Sequence, residues 1–170
     1  RRMDEGFKYL EIAKKESNRE QNRWAIIHTD LILAFAHYLI NEKDQSIHYL
    51  QEYVKRCNQV NLTVRPYPYV LDLCWAIEKG NLPKTPGISL ESEINRMLKG
   101  QNIFLKGVAY RYNALMQREK GLSHQKVMRS LSLSLRWLEE SGHKIEQARS
   151  LLEISKEYLL INNKKKAKES

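Results

Sequence analysis

Apolar positions recur along this chain at three- and four-residue intervals, and short polar stretches interrupt them at regular distances. Phe7, Leu10 and Ile12, with Lys and Glu between them, predict an amphipathic helix over residues 3–17 that ends in Asn18-Arg19-Glu20-Gln21-Asn22. The apolar stretch from Trp24 to Ile40 predicts a second helix, and Ile47, Leu50 and Val54 predict a third over about 44–58. Val70, Leu73, Cys74 and Ile77 give helical spacing up to Gly80, and Leu90, Ile94, Met97 and Leu98 give it again behind Ser89 as N-cap. Two further helices are expected over 103–120 and, capped by Ser123, up to about Glu140. In the latter, Leu131-Ser132-Leu133-Ser134-Leu135 alternates like a strand. The wider window reads as a helix: Val127, Leu131, Leu135 and Leu138 form one stripe and Leu133 with Trp137 another, as packing between two neighbours requires. After the stop at Ser141-Gly142-His143, Ile145, Ala148, Leu151, Leu152, Ile154, Ser155 and Tyr158 carry a last helix to an expected turn at Asn162-Asn163.

The breaks are periodic. Leu39-Ile40-Asn41-Glu42-Lys43-Asp44-Gln45-Ser46 is echoed by Leu160-Ile161-Asn162-Asn163-Lys164-Lys165-Lys166-Ala167, and the turns at 41, 80, 121 and 162 are spaced by 39, 41 and 41 residues. A period near forty belongs to helical hairpins. The expected fold is all-α, a right-handed superhelix of antiparallel helical hairpins over about 22–58, 66–100, 103–140 and 144–170, in one domain covering 1–170. Pro66 and Pro68 place Tyr67 in the lead-in to a helix, and Pro83 with Pro86 makes 82–87 a loop.

Hydrophobic residues make up 42% of the 170 and charged residues 29%, enough for a packed core and unlike a disordered chain. Trp24–Ile40 is 17 residues long and holds His28, Asp30 and His37, so a helix buried between neighbours is expected there in place of a membrane span. Trp24, Trp75 and Trp137 are expected in the core. The two cysteines, Cys57 and Cys74, form neither a disulfide framework nor a zinc pattern, which favours half-buried thiols in a reducing cytoplasm. Arg1-Arg2-Met3 leads into charged residues rather than a signal peptide, and the chain reads as a piece of a larger protein. The net charge is +9; Lys164, Lys165, Lys166 and Lys168 with Glu169 supply +3 of it, and no dense basic run lies elsewhere. Nucleic-acid binding and a spacer or dimerisation role therefore stay as alternatives behind protein binding.

In register, Leu151, Ile154, Ser155, Tyr158 and Ala167, and less fully Leu33, Ala34, His37 and Ser46, resemble the tetratricopeptide repeat. Tyr110, Asn113, Ala114 and Gln117 match it only in part. Over Pro68 to Lys168 the chain also resembles a helical-repeat region of large bacterial transcription regulators, including enhancer-binding activators that use the nitrogen-type alternative sigma factor. The residues that carry the likeness are Tyr69–Glu78, Pro86–Glu91, Lys106–Arg111 and Ser141–Arg149. The resemblance implies a regulatory or sensory module joined to effector domains of the same full-length chain.

No phosphate-binding glycine loop occurs, and His28, His37, His48, His124 and His143 lack metal-ligand spacing. The expectation is no enzyme, no cofactor and no metal. The candidate site is the concave wall of the superhelix, where the repeat register places Tyr67, Arg111, Arg118, Arg149 and Lys156. Arg111 and Arg118, like Arg149 and Lys156, are seven residues apart and share a helix face. Guanidinium groups hold carboxylates or phosphates at two points, so the expected partner is a protein or acidic peptide, or a small anion. The alternative is that these cations are solvated or paired with Glu119 and Glu153.

Overall fold

A computed structural model describes the backbone of residues 2–62 and 67–169 and the side chains of 4–62 and 67–162; the expected lead-in at Arg65-Pro66 lies outside the described residues. These residues form eight helices and no strand: α1 (Arg2–Arg19), α2 (Arg23–Leu39), α3 (Lys43–Gln59), α4 (Tyr69–Glu78), α5 (Leu90–Lys99), α6 (Ile103–Glu119), α7 (His124–Ser141) and α8 (Lys144–Glu169). The all-α expectation holds.

Six helices end on one device. Gln21, Asn41, Asn61, Gly80, Gly121 and Gly142 all adopt left-handed φ angles, from 50° at Asn61 to 73° at Gly142. In each case the next residue's N–H donates to the carbonyl five residues back, as in Asn22 to Ser17 at 2.9 Å, Glu42 to His37 at 2.9 Å and Asn81 to Ala76 at 2.8 Å. That bond satisfies a carbonyl the helix end would leave bare. Asn22 and Asn102 then cap the following helices, accepting from the N–H of Ala25 at 3.1 Å and Leu105 at 3.2 Å. Ser123 occupies the N-cap position of α7 but makes no side-chain cap bond.

The expected turn at Asn162-Asn163 does not form, because α8 continues through it to Glu169. No glycine is present there, and the Lys and Ala residues that follow favour helix. The hairpin expected over 144–170 is therefore one helix of 26 residues. The chain divides into two compact units, Arg1–Leu90 and Glu91–Ser170, and the division falls inside the expected hairpin 66–100.

In the first unit α2 packs against α1, α3 and α4. Ile27, Leu31, Leu33 and Ala34 are buried, which accounts for its apolar sequence. Among the described residues no helix is long and apolar enough to cross a membrane. The Ser46 hydroxyl donates to the Ala34 carbonyl at 2.8 Å, so two small residues let α2 and α3 approach closely. Asp30, fully buried on α2, lies 2.9 Å from Lys14 of α1 and 2.9 Å from Arg56 of α3. These are ion pairs by distance without hydrogen-bond alignment. Cys57 and Cys74 are buried thiols, further inside than the half-buried placement expected. Trp24 departs from its expected core position: at the start of α2 it is 55% exposed, with the His28 ring 5.9 Å away.

In the second unit α7 packs against both α6 and α8. The Ser134 hydroxyl donates to the Gly107 carbonyl at 2.7 Å and meets the Ser150 hydroxyl at 2.8 Å, so small residues again sit where three helices converge. A Cβ on Gly107 would lie 2.6 Å from Leu138 Cγ, closer than side-chain atoms ever approach. Ala114, Val127 and Leu131 form a core against which Met128 and Ile154 pack. The two apolar stripes of α7 do not sort cleanly by neighbour: Leu138 of one meets α6 at Gly107, and Trp137 of the other lies under Lys106 of the same helix.

Candidate functional site

Four of the five candidate site residues come together on the second unit, and each meets a carboxylate of α8. Arg111 and Arg118 project from one face of α6. The Arg111 guanidinium donates to the Glu146 side chain, which also accepts from Arg149 at 3.0 Å. Arg118 donates through Nε to Glu157 at 2.7 Å and through Nη1 to Glu153 at 2.8 Å. Lys156 donates to the other oxygen of Glu153 at 2.7 Å, and His124 lies 2.8 Å from the other oxygen of Glu157.

The register of this seam is informative. Arg111 to Glu146 and Arg118 to Glu153 both span 35 residues, so α6 and α8 run parallel. On α7, Ser134 meets Ser150 and the Leu138 carbonyl accepts from Gln147 at 2.8 Å, so α7 runs antiparallel to α8. Glu146, Glu153 and Glu157 share one face of α8, and Glu146 and Glu157 are only 6% and 5% exposed.

Burial by itself would push Glu153 and Glu157 up, but hydrogen bonds and charge from Lys156 and Arg118, and from His124 and Arg118, hold both below the usual carboxylate range. Burial opposes the charge on Arg118 as well, and the two glutamates more than offset it, raising its affinity for the proton. An anion reaching Arg111, itself nearly buried, would have to displace Glu146. The arginines of α6 thus hold α8 in place. Arg149 and Lys156, paired with Glu146 and Glu153, keep side chains 48% and 52% exposed.

Glu153 was legible as a pairing partner; Glu146 and Glu157 were not. Their signal was in the sequence, since Glu146 and Glu153 repeat the seven-residue spacing of Arg111 and Arg118.

Tyr67 belongs to the first unit. Its ring meets His28 edge-on at 4.9 Å and stacks over Tyr69 at 6.1 Å, and Tyr69 stacks on Phe35 at 4.7 Å. Burial lowers the His28 pKa, and its Nε2 is buried without a hydrogen-bond partner.

The inward glutamates leave α8 with its polarity reversed. Leu151, Leu152, Tyr158 and Leu159 lie on the opposite face and are 48%, 55%, 54% and 62% exposed. An amphipathic helix of a folded domain ordinarily turns such residues inward. Among the described residues no cluster of His, Cys, Asp or Glu could hold a metal ion. No protein-family model matches the chain, and neither a curated protein nor a solved structure matches it.

Proposed function

We propose that this chain is a non-enzymatic protein-interaction module of a cytoplasmic bacterial transcription regulator, and that it captures an acidic amphipathic helix of a partner protein on α8. The observation that carries the reading is the reversed polarity of α8: glutamates inward, leucines outward. The parallel run of α6 and α8 supports reading them as first helices of successive hairpins, as a tetratricopeptide-like right-handed superhelix would have them. On that reading α3 covers α2 and α7 covers α6, while the residues of α8 that match the repeat pattern, Leu151, Ser155 and Tyr158, are exposed and await a helix.

Charge selects the occupant. Arg149 and Lys156 border the leucine face, and the chain carries +9. A second copy would bring like charge to like charge, whereas an acidic helix complements the border. The likeness of Pro68–Lys168 to regulator helical regions supports a role in which occupancy of α8 is relayed to effector domains of the same full-length chain.

The test is fluorescence anisotropy with two synthetic amphipathic helices of identical leucine spacing, one flanked by Glu and one by Lys. The Glu-flanked helix should bind at least about tenfold more tightly, and the double exchange Leu152→Lys, Leu159→Lys should remove binding, since each leucine contributes about 1.5–3 kcal/mol when fully buried. Equal binding of the two helices defeats the reading. A concentration-dependent mass lost in the double variant would make a second copy the occupant. DNA binding whose logarithm falls steeply with salt would make nucleic acid the partner.

A further inference from the structure

A cavity of about 310 Å³ opens in the first unit where α2 begins and α3 ends. That volume lies at the lower end of the roughly 300–1,000 Å³ that small-molecule sites occupy. It is lined by Arg23, Ile26 and Ile27 of α2 and by Arg56, Gln59 and the C-cap Val60 of α3. Two guanidinium groups and one amide thus border three apolar side chains, and none of the six residues is acidic. The carbonyls of Arg56, Cys57 and Asn58 at the end of α3 already accept from the N–H groups of Val60, Leu62 and Asn61. The cavity therefore offers donors rather than acceptors.

The two arginines are placed differently. Arg56 is fixed: its Nε lies 2.9 Å from the fully buried Asp30 and its Nη2 donates to Glu52 at 3.2 Å, while Nη1 makes no hydrogen bond among the described residues. Arg23 is uncommitted, with no hydrogen bond or ion pair among the described residues. It is also the first residue of α2, at the positive end of the helix dipole, and no acidic residue accompanies it in the first turn. A cation there is unfavourable for the helix, and an anion bound beside it would relieve that cost. Charge is in surplus around the cavity. Lys14, Lys55 and Arg56 share two carboxylates, Asp30 and Glu52, so together with Arg23 the group carries two positive charges in excess.

We infer that this cavity binds a small organic phosphate monoester. The phosphoryl oxygens accept from Arg23 and Arg56 and from the Gln59 amide, and the organic part rests on Ile26, Ile27 and Val60. Three terminal oxygens can meet two guanidinium forks, whereas a carboxylate fills one. A phosphate monoester carries about −1.5 to −2 at pH 7, which matches the surplus of two cations. Inorganic phosphate would leave the apolar side chains unused. The cavity lies wholly within the first unit and the leucine face of α8 in the second, so the two sites stand or fall independently.

The experiment is an NMR titration of the whole chain, following backbone amides, with phenyl phosphate, phenylacetate and inorganic phosphate at about pH 7.5, where the monoester is nearly a dianion. Phenyl phosphate should shift the amides of residues 23–27 and 56–60, and the other two should each bind at least about tenfold more weakly. Arg23→Glu should weaken phenyl phosphate at least about tenfold while raising the melting temperature of the free protein, because it puts an anion at the start of α2. An arginine that served only the fold would not move those two readouts in opposite directions. Arg56→Lys keeps a cation beside Asp30 but loses the fork, so it should weaken phenyl phosphate and leave the protein folded. A peptide carrying one phosphotyrosine should bind no more tightly than phenyl phosphate; tighter binding would make a phosphorylated protein the ligand and overturn the small-molecule assignment. The inference is overturned if phenyl phosphate shifts none of these amides at about 10 mM. Phenylacetate that binds as well as phenyl phosphate, or an Arg23→Glu variant that binds it as the parent does, overturns it equally.

Discussion

At Gly107 two opposing effects can be weighed. Alanine there would gain about 1 kcal/mol in helix propensity. It would also drive a methyl to 2.6 Å from Leu138 Cγ and 3.2 Å from the Leu138 backbone nitrogen, neither of which can swing aside like the tip of a long side chain. Overpacking of that kind costs about 1–3 kcal/mol, and separating α6 from α7 would also stretch the Ser134 bond to the Gly107 carbonyl. Sterics win, and Gly107→Ala should lower unfolding stability by about 1–2 kcal/mol in urea denaturation. An equal exchange at Gly6, where nothing lies within 4 Å of a Cβ, should stabilise or leave the protein unchanged.

Among the elements, α8 adds a seam of charge to the apolar contact that Ile154 makes with the core. Arg118 joins two glutamates of α8 through different edges of one guanidinium, a geometry that lysine's single ammonium cannot reproduce. Arg118→Met should cost about 2 kcal/mol, because Glu153 and Glu157 lose a shared partner while nearly buried, and Arg118→Lys should recover only part of it. Thermal melts of the two variants beside the parent check the order. The same helix shows what the sequence conveys and what it withholds. Helices α2, α3, α6 and α7 fall within a few residues of their expected bounds, because apolar spacing and left-handed turn residues such as Asn41, Gly80 and Gly121 act locally. Which face of α8 turns inward is not local. It depends on arginines 35 residues earlier in the chain, so a pattern search that weighs only apolar positions puts Leu151 and Tyr158 inside. The candidate cations were legible for the same reason that their role was not: spacing shows that Arg111 and Arg118 share a face, and only the fold shows which carboxylates meet them.

Across the whole molecule, the two units carry different acid-sensitive groups. In the first, burial lowers the pKa of His28 below its ordinary 6.5, so the unfolded chain binds the proton more readily than the folded one. Stability of that unit therefore falls as pH drops below about 6.5, down through the folded value. In the second, Glu153 and Glu157 are held below their ordinary 4.5, so their contribution is complete above that pH and is lost as pH falls through their folded values. Both slopes have the same sign, since in each window the unfolded state holds more protons, but the windows differ. Amide exchange across a pH series should show protection in α2 and α3 weakening first, as pH falls below about 6.5, and protection in α6 and α8 following only below about pH 4.5. His28→Phe keeps an aromatic ring against Tyr67 and should abolish the first step alone, whereas Arg118→Met should move the second toward higher pH by releasing both glutamates. If α6 and α8 lose protection in the upper window, the ion-paired seam is not what sets the acid stability of the second unit.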